Sequence, residues 1–332
     1  MNAMPRTRVL VAGSANLDFV VRAPRAPAPG ETVLGGELQT FPGGKGANQA
    51  VACARAGDAP TTMLVALGDD AQGARLRTSL RDAGVALVEK RAASAASGVA
   101  FICIADTGEN SIVVAPGAND LLAAEDLPPL DGISHLLLQL ETPLASVTAY
   151  AESARAAGVA VVLNAAPARA LPQRLLAAID ILVVNEGELA MLAGDTRDLE
   201  AALRRLPVPC AIVTLGGEGC VARAGEAILR QHAFAVDVVD TTAAGDTFCG
   251  TLVAALARGE ALAQALREAS AASALACTTA GAQSSIPARA AVLAMLDAAG
   301  RTRRPGKTSA VPAGRTARRA PGAALPEDMA PG

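Results

Sequence analysis

Aromatic residues are almost missing from this 332-residue chain: 2% in all, with no Trp and a single Tyr. Recognition of single-stranded nucleic acid by base stacking needs aromatic platforms, and this sequence does not supply them. Histidine is as scarce. His135 and His232 are the only two, each inside or beside a strand-like run, which leaves no basis for a His-based triad or a His-rich metal centre. The six cysteines (Cys53, Cys103, Cys210, Cys220, Cys249, Cys277) contain no CxxC pair, and scattered thiols in a chain this long read as buried and free. No stretch approaches ~18 uninterrupted apolar residues, so no membrane span is expected. The first apolar run, Val9–Ala12, passes directly into glycine and polar residues, unlike a secretion signal. A reduced, cytoplasmic setting is the expectation.

Basic charge is short in the body of the chain. The formal net charge is −3, yet residues 301–332 hold seven Lys/Arg against two Asp/Glu, leaving 22 against 30 in the first 300. Counterion release from a phosphate backbone requires clustered Lys and Arg, so an acidic body argues against nucleic-acid binding. The tail is rich in Pro, Gly, Ala and Arg without an apolar period and is expected to be disordered. Its Gly306-Lys307-Thr308 resembles the end of a P-loop but lacks the upstream glycine at the required spacing and a preceding strand.

What is present is apolar: 51% hydrophobic against 18% charged residues, enough for one large α/β domain or two small ones. Apolar runs of strand length alternate with helical patterns. Strands are expected at 9–12, 61–67, 133–140, 159–164, 179–184 and 210–215. Helices are expected at 44–57, 70–83, 143–157, 186–193, 245–258 and 261–280, with a last one opened by Pro287. Runs such as His135–Leu140 (HLLLQL) are apolar without alternation, as strands covered on both faces should be. The pattern predicts a mostly parallel sheet with helices on both sides. Residues 31–40 and 97–115 break the rhythm with β-rich runs where a helix is due, and predict a small sheet standing off the main body, as a lid over a cleft or a surface hairpin.

Chemistry concentrates at expected strand ends. Asp240–Gly250 reads DTTAAGDTFCG, with Ala243, Ala244 and Gly245 where a helix should begin. A helix terminus without bulky side chains exposes free N–H groups and a dipole that attract phosphate. Asp246 in the same turn either accepts a proton from an attacking hydroxyl or simply stabilises the helix dipole. Gly43-Gly44-Lys45-Gly46-Ala47-Asn48 fits neither the Walker A nor the GxGxxG pattern, although its glycines permit close backbone approach. Asn16 and Asp18 follow the first strand, where a carboxylate can accept from two neighbouring hydroxyls or cap a turn. Glu141, Asn185 to Glu188, and Thr214 to Gly219 follow three further strands. Five polar or glycine-rich stretches at one edge of one sheet point to an active site.

GGKGANQA at 43–50 and DTTAAGDTF at 240–248 resemble the two signatures of the ribokinase (PfkB) carbohydrate kinase family. The likeness continues through GSANLD at 13–18, LQLETPLASV at 138–147, NAAPARALP at 164–172, TLGGEG at 214–219 and GAQSSIP at 281–287, covering residues 8 to 297 in order. The resemblance implies a ribokinase-like three-layer αβα sandwich over residues 1–300, with a lid that also makes a homodimer contact. It implies ATP-dependent phosphorylation of the 5-hydroxyl of D-ribose, with Asp246 as the base and the backbone of Ala243, Ala244 and Gly245 as the anion hole. Ribose would lie against Asn16, Asp18, Gly44, Lys45, Gly46, Ala47, Asn48, Glu141 and Asp246. Asn185 and Glu188 would help place Mg2+ and phosphate. Thr214, Leu215, Gly216, Gly217, Glu218 and Gly219 would hold ATP, with Gly245 at its phosphates and Ser270 on the adenine side. Asp240, Thr242, Ala276, Thr279, Gly281 and Ser285 would bind an activating K+. Cys249 departs from the Asn common in the family, without removing a group the chemistry needs. The alternatives are another sugar or nucleoside kinase of the same family, acting on deoxyribose or fructose, and a catalytically silent sugar-binding regulator.

Overall fold

The computed structural model describes residues 7–302; residues 1–6 and 303–332, and with them most of the tail expected to be disordered and its Gly306-Lys307-Thr308, lie outside. The chain opens with β1 (Arg8–Ala12), β2 (Asn16–Ala23), β3 (Gln39–Gly43), α1 (Lys45–Arg55), β4 (Thr61–Gly68), α2 (Ala71–Asp82) and β5 (Ala86–Ala92). Next come β6 (Gly98–Ala105), β7 (Asn110–Ala115), β8 (Ile133–Leu138), α3 (Leu144–Ala156), β9 (Ala160–Asn164), α4 (Gln173–Ala178), β10 (Ile181–Asn185) and α5 (Glu186–Ala193). The last third holds α6 (Leu199–Arg205), β11 (Cys210–Thr214), β12 (Cys220–Ala224), β13 (Ala227–Gln231), α7 (Ala244–Ala257), α8 (Leu262–Ala276) and α9 (Arg289–Thr302).

Nine strands form the main sheet in the order β13-β12-β11-β10-β9-β8-β1-β4-β5. The seven from β11 to β5 pair in parallel, and β12 and β13 add an antiparallel edge. The unbroken apolar runs follow from helices on both faces. In β1, Val9 and Val11 join the core under α1, α7 and α8, while Leu10 and Ala12 join the core under α3 and α4. A strand with alternate side chains in two separate cores has no solvent face on which to place polar residues.

The second sheet has four strands, β3-β2-β6-β7, and corrects one expectation. Residues 31–38 form no strand; pairing starts at Gln39, and the strand it joins is β2, beginning at Asn16. Glycines 35 and 36 break the 31–38 run: a Cβ on Gly35 would lie 2.7 Å from Val21 Cγ2, and the segment is tied to β2 by a backbone bond from Gly36 N to Arg22 O at 2.8 Å. The hairpin expected around 107–110 is present between β6 and β7.

Helices α1 and α7 approach closely because both carry small residues where they cross. A Cβ on Gly250 would stand 2.4 Å from Gln49 O and 2.6 Å from Ala52 Cβ, and one on Gly57 would stand 2.1 Å from Ala254 Cβ. Cys53 Sγ donates to Gly250 O at 3.2 Å. This contact brings the first turns of the two helices face to face.

Candidate active site

α7 begins without a side-chain cap. Ala243 adopts the left-handed conformation at φ 58°, which is uncommon for a residue with a Cβ and marks a locally strained turn. Thr247 N–H returns to Ala243 O at 2.8 Å. Among the described residues, the N–H groups of Gly245 and Asp246 have no backbone acceptor, and Gly245 is exposed. Donors left free beside small side chains are the features that an anion-binding helix terminus requires.

Asp246 is only 8% exposed, and it lines a cavity of about 220 Å3 with Lys45, Asn164, Asn185, Glu188 and Cys249. Asn48 Nδ2 donates to its Oδ2 and Gln49 Nε2 to its Oδ1, both at 2.9 Å. The carboxylate is thus held by two amides from α1 while it borders the cavity. A mere dipole-stabilising aspartate would face solvent at the helix end; this one does not.

The Gly43-Gly44 pair is required by close approach. A Cβ on Gly43 would fall 2.2 Å from Asp18 Oδ2, and one on Gly44, at φ 89°, would fall 2.7 Å from Asn16 N. Asp18 sits in the β2–β3 ladder beside this turn. Burial raises its carboxyl to about 7, reinforced by the negative charges of Glu141 and Asp246. Glu141 Oε2 accepts from Ser14 Oγ at 2.5 Å and from Lys45 N at 3.0 Å. Burial alone would push the Lys45 ammonium down, but Asp246, Glu141 and Glu188 outweigh it and hold the group above its usual value. Burial also raises Glu188, against the opposing pull of the Asn185 N–H and Lys45.

Asn185 and Glu188 form a reciprocal cap of α5, with Asn185 N donating to Glu188 Oε2 and Glu188 N to Asn185 Oδ1, both at 2.8 Å. This is the N-terminal box that such a pair makes on any helix, here at the cavity wall. Thr214 and Gly245 border both this cavity and a second one of about 420 Å3, lined also by Gly216, Gly217, Phe234, Phe248, Ser270 and Cys277. Of the six residues expected there, Leu215 and Glu218 instead border a separate hollow with Arg230. On the other flank of α7, Asp240 Oδ2 accepts from Gly281 N at 2.9 Å, and Oδ1 accepts from Thr242 N and Oγ1 at 2.9 and 2.7 Å. Burial would raise this carboxyl, but those three bonds hold it below the usual range. Ser285 Oγ turns back to Ala282 O at 2.8 Å, and Ala276 O accepts from Thr279 N at 3.4 Å.

Four residues escaped the sequence reading. Ser14 holds Glu141. Asn119 brackets the start of β2 through Ala15 N, Ala15 O and Asn16 Oδ1. Gln49 and Asn164 meet beside Asp246. Ser14, Gln49 and Asn164 lie within segments that carry the family resemblance and Asn119 does not; in none of them does the local sequence show the bonds just given, because those partners are more than a hundred residues away.

The pfkB family carbohydrate kinase model matches residues 6–289. The chain is 39% identical to the ribokinase of Haemophilus influenzae, over 88% of this chain and 99% of that protein. Its fold superposes on the ribokinase of Thermotoga maritima with a TM-score of 0.82 at 34% identity, covering 87% and 99% of the two chains. It also superposes on the Arabidopsis thaliana ribokinase complexed with ribose and ATP, with a TM-score of 0.81 at 35% identity over 88% and 99%. A buried carboxylate beside an uncapped helix terminus, on a fold and sequence shared along almost all of each relative, leaves one conclusion: the chain belongs to the pfkB family of carbohydrate kinases.

Proposed function

We propose that this protein transfers the γ-phosphoryl group of ATP to the 5-hydroxyl of D-ribose, with Asp246 as the base. The observation that carries the reading is the shared turn of α7, where the Asp246 carboxylate and the free Gly245 and Asp246 N–H groups meet one cavity. Phosphoryl transfer needs positioning and charge stabilisation more than covalent help. Asp246 takes the proton of the attacking hydroxyl, and the N–H groups and the helix dipole stabilise the charge on the transferred group. ATP would occupy the larger cavity, with its phosphates toward Gly245.

Asn16, Asp18, Glu141 and the Gly44–Asn48 turn form the sugar side. Asn48 Oδ1 is buried without a partner in the protein, an acceptor that fits a sugar hydroxyl. Among the described residues no group of three His, Cys, Asp or Glu could hold a metal ion by itself. Mg2+ is commonly held by one or two carboxylates together with substrate phosphates, and Glu188 and Asn185 are placed for that. Asp240 ties Thr242 to Gly281, and the oxygen-rich loops of Ala276, Thr279 and Ser285 suit K+. When bound, these cations supply positive charge beside the anion hole.

The lid sheet presents Phe101, Ile112, Val113 and Val114 to solvent, Val113 at 68% exposure, with Phe19 stacked on Phe101 at 5.5 Å. An exposed β edge of this apolar character is covered by pairing with another copy, so the active form is a homodimer. No helix among the described residues is long and apolar enough to cross a membrane, and six free cysteines fit a reduced cytoplasm.

Asp246→Asn tests the reading. Ribose binding by calorimetry is expected to persist, with phosphoryl transfer reduced at least ~100-fold. Unchanged turnover would defeat the assignment. Coupled assays on ribose, deoxyribose, fructose and adenosine, with Mg2+ and with or without K+, rank the substrates.

A further inference from the structure

The mechanism leaves Gln49 without a task, although it is wholly buried one residue past Asn48 on α1. Its carboxamide is the centre of a polar chain across the carboxyl edge of the main sheet. Gln139 Nε2 donates to Gln49 Oε1 at 2.6 Å. Gln49 Nε2 donates to Asp246 Oδ1 at 2.9 Å and to Asn164 Oδ1 at 3.0 Å. Asn164 Nδ2 is itself committed to Val183 O at 3.3 Å.

The direction of this chain is forced. An ionised carboxylate only accepts, so the atom of Gln49 that faces Asp246 is its nitrogen. That turns Oε1 toward Gln139, which has to present its own nitrogen in return. Gln139 Oε1 is then left buried without a partner, packed where a Cβ on Gly13 would stand 2.0 Å away. A side chain that only filled space would be apolar here and would strand no acceptor. The stranded oxygen is explained by what the other end of the chain does.

We propose that Gln49 is a positioning residue for the phosphoryl transfer. It clamps Asp246 Oδ1 while Asn48 clamps Oδ2, holding the carboxylate in the rotamer that meets the sugar hydroxyl, and Gln139 acts through Gln49 by fixing its amide polarity. The inference rests on the kinase reading above and assigns the geometry of its base.

Steady-state kinetics of Gln49→Leu and Gln139→Leu test it, alongside thermal melts and ribose calorimetry. Gln49→Leu removes a donor to a charged group, so kcat falls about 10–100-fold. KM for ribose changes by less than about threefold, since the lost interaction serves the transition state rather than binding. The other groups around Asp246 are Lys45 on α1, Asp18 on β2, Glu188 on α5, Cys249 on α7 and, through Lys45 and Asp18, Glu141. Both variants leave them in place, so a fall in kcat at nearly constant KM reports the missing donor. Gln139→Leu keeps Gln49 but unlocks its amide, for a smaller loss of about 3–10-fold in kcat.

Wild-type kcat in Gln49→Leu, or kcat and KM worsening together, overturns the inference. Should Gln49→Leu fail to fold, Gln139→Leu decides alone, and an unchanged kcat there overturns it. A wild-type protein that phosphorylates none of the sugars sinks the kinase reading instead, so the two failures are distinguishable.

Discussion

Replacing Asp18 with asparagine should stabilise the sugar-free protein while crippling its binding of sugar. The native carboxyl is raised from 3.8 to about 7, chiefly by burial and then by Glu141 and Asp246. That difference corresponds to ~4 kcal/mol against the ionised form if fully realised. Water entry and relaxation reduce what a melt reports to about 1–3 kcal/mol, or roughly 2–6 °C in Tm. The sign follows from the two proton affinities. Folded Asp18 keeps its proton to about 7 and the unfolded residue releases it near 3.8, so the wild type loses stability as the pH climbs through that window. The uncharged amide of Asp18→Asn carries no such loss. The advantage of the variant is therefore close to zero at pH 4 and grows to a plateau above pH 7, in melts across that range. Ribose affinity should fall at least ~10-fold, because an amide oxygen replaces a charged acceptor of two hydroxyls. For the same reason wild-type KM for ribose should rise as the pH drops below about 7. A pH-independent difference in Tm, or a variant that binds ribose as tightly as the wild type, would refute the argument.

Two further outcomes concern packing. Gly250→Val places atoms within 2.6 Å of Gln49 O and Ala52 Cβ; wedging α1 from α7 should cost about 3 kcal/mol in chemical denaturation, and the same displacement should cut kcat by separating Asn48 and Gln49 from Asp246. Ile112→Glu on the exposed face of β7 should shift sedimentation from dimer to monomer at micromolar concentration while the monomer melts as the wild type does.

Much of the fold was legible because buried strands have little freedom of composition. β1, β4, β8, β9, β10 and β11 all appear within two residues of where unbroken apolar runs predict them. The strands that were missed lie at or near sheet edges. β5 contains Glu89, Lys90 and Arg91, and β13 contains Arg230; a strand with one side open to water tolerates charges that interrupt the run. β12 hides Arg223, whose guanidinium is buried against the carbonyls of Leu203, Leu206, Val208 and Pro209, a compensation no local pattern displays. β2 is not marked as a strand by the sequence pattern, because it starts only four residues after β1 and leaves for the other sheet.

By itself the sequence determined what is local: small residues at the head of α7, two glycines where the β3 turn meets β2, and apolar runs long enough to be covered on both faces. Hydrogen-bond partners distant along the chain were decided only by tertiary structure. Asn48 and Asp246 are 198 positions apart, and Ser14 and Glu141 are 127 apart. The packing of α1 on α7 through Gly57 and Gly250 brings the amides to Asp246. The convergence of Asp18, Glu141 and Asp246 on one buried site raises a proton affinity that none of these residues would have alone, because charge and desolvation act through space rather than along the chain.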